Sequence, residues 1–295
     1  MRIATFKHGA QRLVGVVSDD QRSVRPYRLA PDAAQRGVQS LIERSLQSGA
    51  ALPQIEDHAI DLADVTLEAP LPLPRRNLWC VGRNYKAHAK ELAATVFKDS
   101  PRDTAAWPIV FTKAPETVIG PYAPVQLPGP VSAQIDYEAE LAIVIGKPGK
   151  NIAREDALDH VFGYTIVNDV TARDVQMRHQ QWDLGKSFDT FCPMGPWIVT
   201  ADAFDGARTR IRCWVTPAGK DAELRQDART EDLIFDIPTL IATCSAGITL
   251  QPGDVIATGS PAGVGMGMNP PRYLGVGDSV RIEIDGLGFI ENSFV

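Results

Sequence analysis

The chain has 295 residues and a formal charge of −6 at neutral pH, with 36 acidic and 30 basic side chains spread without blocks of either sign. That balance argues against nucleic acid or an anionic membrane surface as the main partner, so an anionic ligand has to be held by local basic residues. The length suffices for a large core, the opening MRIATFKHGAQRL lacks an apolar signal segment and no apolar run approaches bilayer-spanning length, so a cytoplasmic protein is expected.

In chain order, RIATFKH and RLVGVVSD read as short strands, and GVQSLIERSLQSG reads as helical. The prolines of VTLEAPLPLPRR favour extended backbone and mark a boundary. Residues 1–70 are therefore read as a small N-terminal α/β domain and 71–295 as the main unit. Beyond the boundary, NLWCVG, WPIVFTK, AELAIVIG, VFGYTIVND, PWIVTA, TRIRCWVT, DVIATGS and DSVRIEIDGLGFIENSFV are β-branched or aromatic runs bounded by Gly, Pro or Asp. They predict strands, with Asp285-Gly286 as a two-residue hairpin turn. Helices are few: a stretch in CVGRNYKAHAKEL, REDALDHV, a segment after Asp169, and DIPTLIATCSAG, where Asp236 is the N-cap, Pro238 lies in the first turn and Gly247 stops the helix. The class is β-rich α+β. Cys80, Cys192, Cys213 and Cys244 are far apart and form no C-x-x-C pair, which points to buried free thiols.

Several familiar motifs fail on inspection. LGKS ends like a phosphate-binding loop, but Gln180 stands where the earlier glycine is required. In GSPAGVGMGMNP the third glycine of a dinucleotide loop is replaced by Met268 and prolines follow instead of a helix, so this is read as a loop needing positive φ or close approach. TCSAG has Thr243 where a nucleophile elbow needs glycine, and no H-E-x-x-H helix occurs.

One constellation survives. In DYEAELAIVIGK, a period of two puts Asp136, Glu138 and Glu140 on one face of a strand that runs into an apolar region. Taken alone, such a pair or trio fits a solvated edge face. The next strand ends its apolar run at Asn168-Asp169, and a third carboxylate there fits an all-oxygen site for a hard divalent cation. Arg173 and Gln176 follow; they suit a clamp for a substrate carboxylate, or Arg173 simply neutralises Asp169 or Asp174. His88 and Glu91 are three apart on a helical stretch, either an oriented general base or a surface ion pair.

These segments, together with GKSFDTFCPMGP, RQDARTEDLIF and LQPGDVIATGSPAGVG, resemble the fumarylacetoacetate hydrolase family from about residue 77 to 295. The resemblance implies a β-roll core of layered mixed sheets, a homodimer, and Mg2+ (or Mn2+ or Ca2+) held by Glu138, Glu140 and Asp169. It implies that His88 and Glu91 form a water-activating dyad on a lid, that Lys186 reaches the substrate, and that Arg83, Tyr85, Arg173, Gln176 and Thr258 contact it. Asp136 falls outside the ligand set, satisfied by solvent or a basic neighbour. WVTPAGKDAELRQ departs from the family's shorter form and is expected to lengthen a hairpin loop, and residues 92–107 are expected to set specificity. The expected reaction is hydrolysis of a C–C bond in a small anionic 2,4-dioxo acid, an acylpyruvate, by water that His88 deprotonates, with the metal and Lys186 stabilising the enolate. The alternatives are isomerisation or decarboxylation of a 2-oxo or 2-hydroxydienoic acid, and a binding protein that keeps the fold without the chemistry.

Overall fold

The computed structural model describes residues 1–46, 51–95, 106–178 and 181–295, with the backbone alone for 92–95. A twelve-stranded sheet forms its centre. From one edge its main path runs Ile60–Asp61, Ser23–Pro26, Gln11–Val17, Arg2–His8, Cys192–Thr200, Val161–Asn168, Ala139–Ile145, Val255–Ala257, Leu78–Gly82 and Ile109–Lys113. Pairing along this path is antiparallel except between Val255–Ala257 and Leu78–Gly82. The strands of residues 1–70 continue the sheet of the remainder, because Arg2 and Ile3 pair with Val199 and Ile198.

The Ala139–Ile145 strand shows why the sheet is central. All seven of its residues are buried. Leu141, Ile143 and Ile145 enter a core shared with Ile211, Cys213 and Ile282, while Ala142 and Val144 enter a second core with Leu41, Ile42 and Cys80. A strand apolar on both faces must be covered on both, as the sequence pattern requires. One cover is an antiparallel four-stranded sheet of Glu223–Arg229, Arg210–Thr216, Ser279–Ile284 and Gly288–Ser293. The helix Gln39–Ser45 contributes to the other.

Most local expectations hold. Asp236 caps Ile237–Ser245 by accepting from the Thr239 N–H at 3.0 Å, and Gly247 has φ +76° just past the helix. The departing segment forms the hairpin connection 217–222, and the four cysteines are buried and unpaired. REDALDHV differs: Arg154–His160 is a 3₁₀ helix. Its two buried residues, Ala157 and His160, lie three apart, and three residues per turn stack them directly over one another on the covered side. Among the described residues no helix is long and apolar enough to cross a membrane.

Pairing places the acidic stretch beside the Asp169 turn. Ala139 is opposite Asn168 and Asp136 opposite Thr171, and the Asp169 N–H donates to the Glu138 carbonyl at 2.9 Å. The helix Lys86–Thr95 is anchored just before its start by the fully buried Asn84. Its Nδ2 donates to the carbonyls of Phe235 at 2.9 Å and Thr258 at 2.8 Å, and its Oδ1 accepts from the Phe235 N–H at 2.8 Å. An Asn84→Ala change strips these partners and should lower the unfolding free energy by about 3 kcal/mol. Urea denaturation checks this; an unchanged midpoint would refute the anchoring.

Candidate active site

The structure settles the reading of the acidic strand against a solvated face. Glu138, Glu140 and Asp169 are 6%, 1% and 0% exposed, and one oxygen of each lies within 4.8 Å of the others. Burying like charges this closely costs several kcal/mol per ion unless cations compensate. Three do. Lys186, at the end of the short helix Asp183–Lys186, donates from Nζ to Glu138 Oε2 at 2.5 Å and Asp169 Oδ2 at 2.6 Å. Arg173 pairs through Nη2 with Glu138 Oε1 at 2.7 Å. Lys113, fully buried, lies 2.8 Å from Asp169 Oδ1 and donates to the carbonyls of Val170, at 3.0 Å, and Lys186.

Asp136 is satisfied by its basic neighbour and by backbone, with no share of solvent. It is fully buried, accepts from Arg173 Nε at 2.9 Å, and takes the N–H groups of Gly265 and Met266 at 2.7 and 2.9 Å. Arg173 therefore neutralises Asp136 and Glu138, while Asp174 accepts from Ser132. Its Nη1 also donates to Gln176 Oε1 at 3.1 Å, which orients the amide.

The charges are unevenly compensated. Burial pushes the Glu138 carboxyl up, but Arg173 and Lys186 outweigh it and hold it well below the usual range. Burial, with Asp169 and Glu138 beside it, drives Glu140 well above that range. Glu140 accepts the Gly259 N–H at 2.8 Å and, among the described residues, has no ion pair. Burial opposes the charge of Lys186, yet Asp169 and Glu138 raise its pKa. Three hard oxygen donors, one of them without a cation, fit a divalent ion of the Mg2+, Mn2+ or Ca2+ type.

His88 is 2% exposed and its Nδ1 lies 3.0 Å from Glu91 Oε2, so the surface ion-pair reading does not apply. Glu91 Oε1 accepts from the Gly263 N–H at 3.0 Å. The carboxylate requires the proton on Nδ1 and leaves Nε2 as the basic nitrogen. His88, Glu138, Glu140, Arg173, Gln176 and Lys186 line a single cavity, with Arg83 at its wall. Two expected substrate contacts lie elsewhere. The Thr258 hydroxyl donates to the Leu141 carbonyl at 2.9 Å, and Tyr85, 1% exposed, is not in the lining. Most of the stretch expected to set specificity, residues 96–105 and the side chains of 92–95, lies outside the described residues.

Sequence reasoning missed Lys113, Gln226 and Ser260. Gln226 is fully buried; its Oε1 accepts from the Ala139 N–H at 3.0 Å and its Nε2 donates to Ser260 Oγ at 2.7 Å, at the cavity wall. The available signals were a lysine closing the apolar strand WPIVFTK and a glutamine on the inward face of ELRQDAR.

This fold and site define the class: the chain belongs to the fumarylacetoacetate hydrolase family, whose C-terminal domain matches residues 77–295. Oxaloacetate tautomerase YisK of Bacillus subtilis is 49% identical over 232 residues, 78% of this chain and 73% of that protein. Among solved structures, a fumarylacetoacetate hydrolase from Exiguobacterium antarcticum aligns over 100% of this chain and 99% of its own, at 41% identity and a TM-score of 0.83. A 5-carboxymethyl-2-hydroxymuconate delta-isomerase from Mycobacterium smegmatis covers the same shares at 33% identity and 0.77.

Glu140 generates a prediction about metal and pH. Because its folded pKa is raised, Glu140's own contribution to the stability of the metal-free protein is fully present below the ordinary carboxylate range and is lost as pH rises through the raised value. In chelator at alkaline pH, Glu140→Gln should therefore be more stable than the native chain by about 1–3 kcal/mol, and Mn2+ should no longer raise its melting temperature. Asp136→Asn should keep Mn2+ affinity. Thermal melts with and without Mn2+ decide; an equal Mn2+ response in Glu140→Gln would remove Glu140 from the ligand set.

Proposed function

We propose that this chain interconverts the enol and keto forms of a small 2-oxo acid carrying a second carboxylate, of the size and charge of oxaloacetate. The observation that carries the proposal is one buried, carboxylate-oriented imidazole in the same cavity as Glu138 and Glu140 of the oxygen triad and the cations Arg173 and Lys186. The relative named an oxaloacetate tautomerase supports the choice of reaction.

Charge favours an anionic substrate. Asp136, Glu138, Glu140 and Asp169 face three cations, Lys113, Arg173 and Lys186, so a divalent ion would turn the group from net negative to net positive. When bound by Glu138, Glu140 and Asp169, such an ion supplies a Lewis acid that polarises a 2-oxo group. The chain's own groups do the rest. Arg173 already engages Nε, Nη1 and Nη2, and each terminal nitrogen keeps a second N–H for a substrate carboxylate. Lys186 places positive charge beside the developing enolate oxygen. His88 Nε2 takes a proton from one position and returns it to the other: in ketonisation the enol O–H proton is lost and C3 gains one, with no net change in composition.

Hydrolysis of an acylpyruvate is the second reading. It is favoured by the same dyad, which can deprotonate a water as readily as a substrate, and by the hydrolase-named structural relative. The two differ in products. Enol absorbance should decay faster with Mg2+ or Mn2+ than in chelator, and NMR should show a keto acid of unchanged composition; carboxylic acid plus pyruvate would establish hydrolysis instead, and carbon dioxide release would overturn both. His88→Ala should cut kcat by about 10²–10⁴-fold while Mn2+ affinity is retained. Full turnover by that variant would end the assignment of His88 as the base.

A further inference from the structure

The glycine-rich stretch GSPAGVGMGMNP, which fails as a dinucleotide loop, meets the catalytic machinery at two separate points. Its Gly263 N–H donates to Glu91 Oε1 at 3.0 Å. Two residues on, the N–H groups of Gly265 and Met266 donate to Asp136, which in turn fixes Arg173. Gly267, at the end of the short 3₁₀ turn Gly265–Gly267, lies directly against the Glu91 side chain. A Cβ there would stand 2.4 Å from both Cδ and Oε1 of Glu91 and 2.7 Å from its Cγ.

From this geometry we infer that Gly267 is a positioning residue for the catalytic dyad: the loop grips the Glu91 carboxylate by the Gly263 N–H on one side and leaves it room at Gly267 on the other. The inference rests on His88 acting as the proton-transfer group. Glu91 aims His88 through Nδ1, so the loop determines where Nε2 sits relative to the triad without touching substrate. The same loop also holds the Asp136–Arg173 pair. The carboxylate partners of the base and of the anion-binding arm are thus held by one short piece of backbone.

The two glycines differ as probes. Gly263 has φ +104°, and a Cβ there would meet the Arg225 carbonyl oxygen at 1.8 Å, so replacement breaks the fold locally. At Gly267 the three nearest obstructing atoms belong to the movable end of one side chain, that of Glu91. Alanine at 267 should therefore push Glu91 aside and leave the backbone in place.

The test uses the full chain and three variants: Gly267→Ala, Glu91→Asp, and the two combined. Gly267→Ala should lower kcat about 10–100-fold, with KM and Mn2+ affinity within about twofold of the native chain. Adding Glu91→Asp, which withdraws the carboxylate by one methylene, should recover at least part of that loss, although Glu91→Asp alone is impaired. Proton NMR reads the same event without turnover. The downfield Nδ1–H resonance of a carboxylate-bound imidazole, absent from a His88→Ala control, should vanish in Gly267→Ala and return in the double variant. Native kcat and an unchanged resonance in Gly267→Ala would overturn the inference, as would loss without any recovery in the double variant. If Gly267→Ala alone does not fold, the double variant decides: a folded Gly267→Ala/Glu91→Asp chain that shows the resonance supports the inference, and failure of the double variant to fold overturns it. Activity retained by His88→Ala would instead overturn the proposed function, so the two failures are distinguishable.

Discussion

Four carboxylates packed out of water at one place are the constraint on which the rest of this structure depends. Asp136, Glu138, Glu140 and Asp169 are all nearly inaccessible, and no arrangement of a β-rich core tolerates them unless cations come equally close. The chain brings those cations from separate elements: Lys113 from the end of Ile109–Lys113, Arg173 from the helix Arg173–Gln176 and Lys186 from Asp183–Lys186. The pairing is incomplete by design of the site. Glu138 and Asp169 are neutralised, whereas Glu140 takes a backbone N–H and no cation. That residual imbalance is where a divalent ion would fit, because an ion there would offset the repulsion that folding imposes on Glu140.

Rigidity follows from the same arrangement. Asp136, Glu138 and Glu140 sit on Ala139–Ile145 and its approach, and Asp169 follows the paired strand Val161–Asn168, so their spacing is held by core packing. The His88 imidazole arrives from outside that sheet, on the helix Lys86–Thr95, with Asn84 tying its start to Phe235 and Thr258. Lys113 adds a further tie between the metal-facing turn and the Lys186 helix by donating to carbonyls on both. The carboxylate cluster is held by fixed strands and the imidazole by an appended helix, and relatives that share this scaffold are named as tautomerase, isomerase and hydrolase.

Much of this was legible in the residue order, for identifiable reasons. Period-two alternation placed Glu138 and Glu140 on one face, and the i, i+3 spacing placed His88 beside Glu91; both are local geometry. The helix capped by Asp236 was legible on the same ground, and so was the hairpin near Asp285-Gly286, although its connection is residues 285–287 and one longer than expected. Contacts between distant segments were not. Lys113 reads as the polar end of a strand, and only sheet assembly carries it to Asp169. Thr258 sits in the expected loop, but its hydroxyl is spent on the Leu141 carbonyl, while Ser260, two residues on, lines the cavity. The alternative partners of Arg173 could not be separated from sequence, since Asp136 is 37 residues away and the nearer Asp174 is held by Ser132.

The sequence by itself determined the family, the strand-dominated class, the carboxylates and the imidazole, because those features depend on residue type and short-range spacing. The tertiary structure alone decided which cation answers each carboxylate, which one is left for a metal, and that a glycine-rich loop holds both Glu91 and Asp136. Electrostatic compensation and close approach are properties of distance in space, and residues far apart in the chain meet only after the sheets have packed.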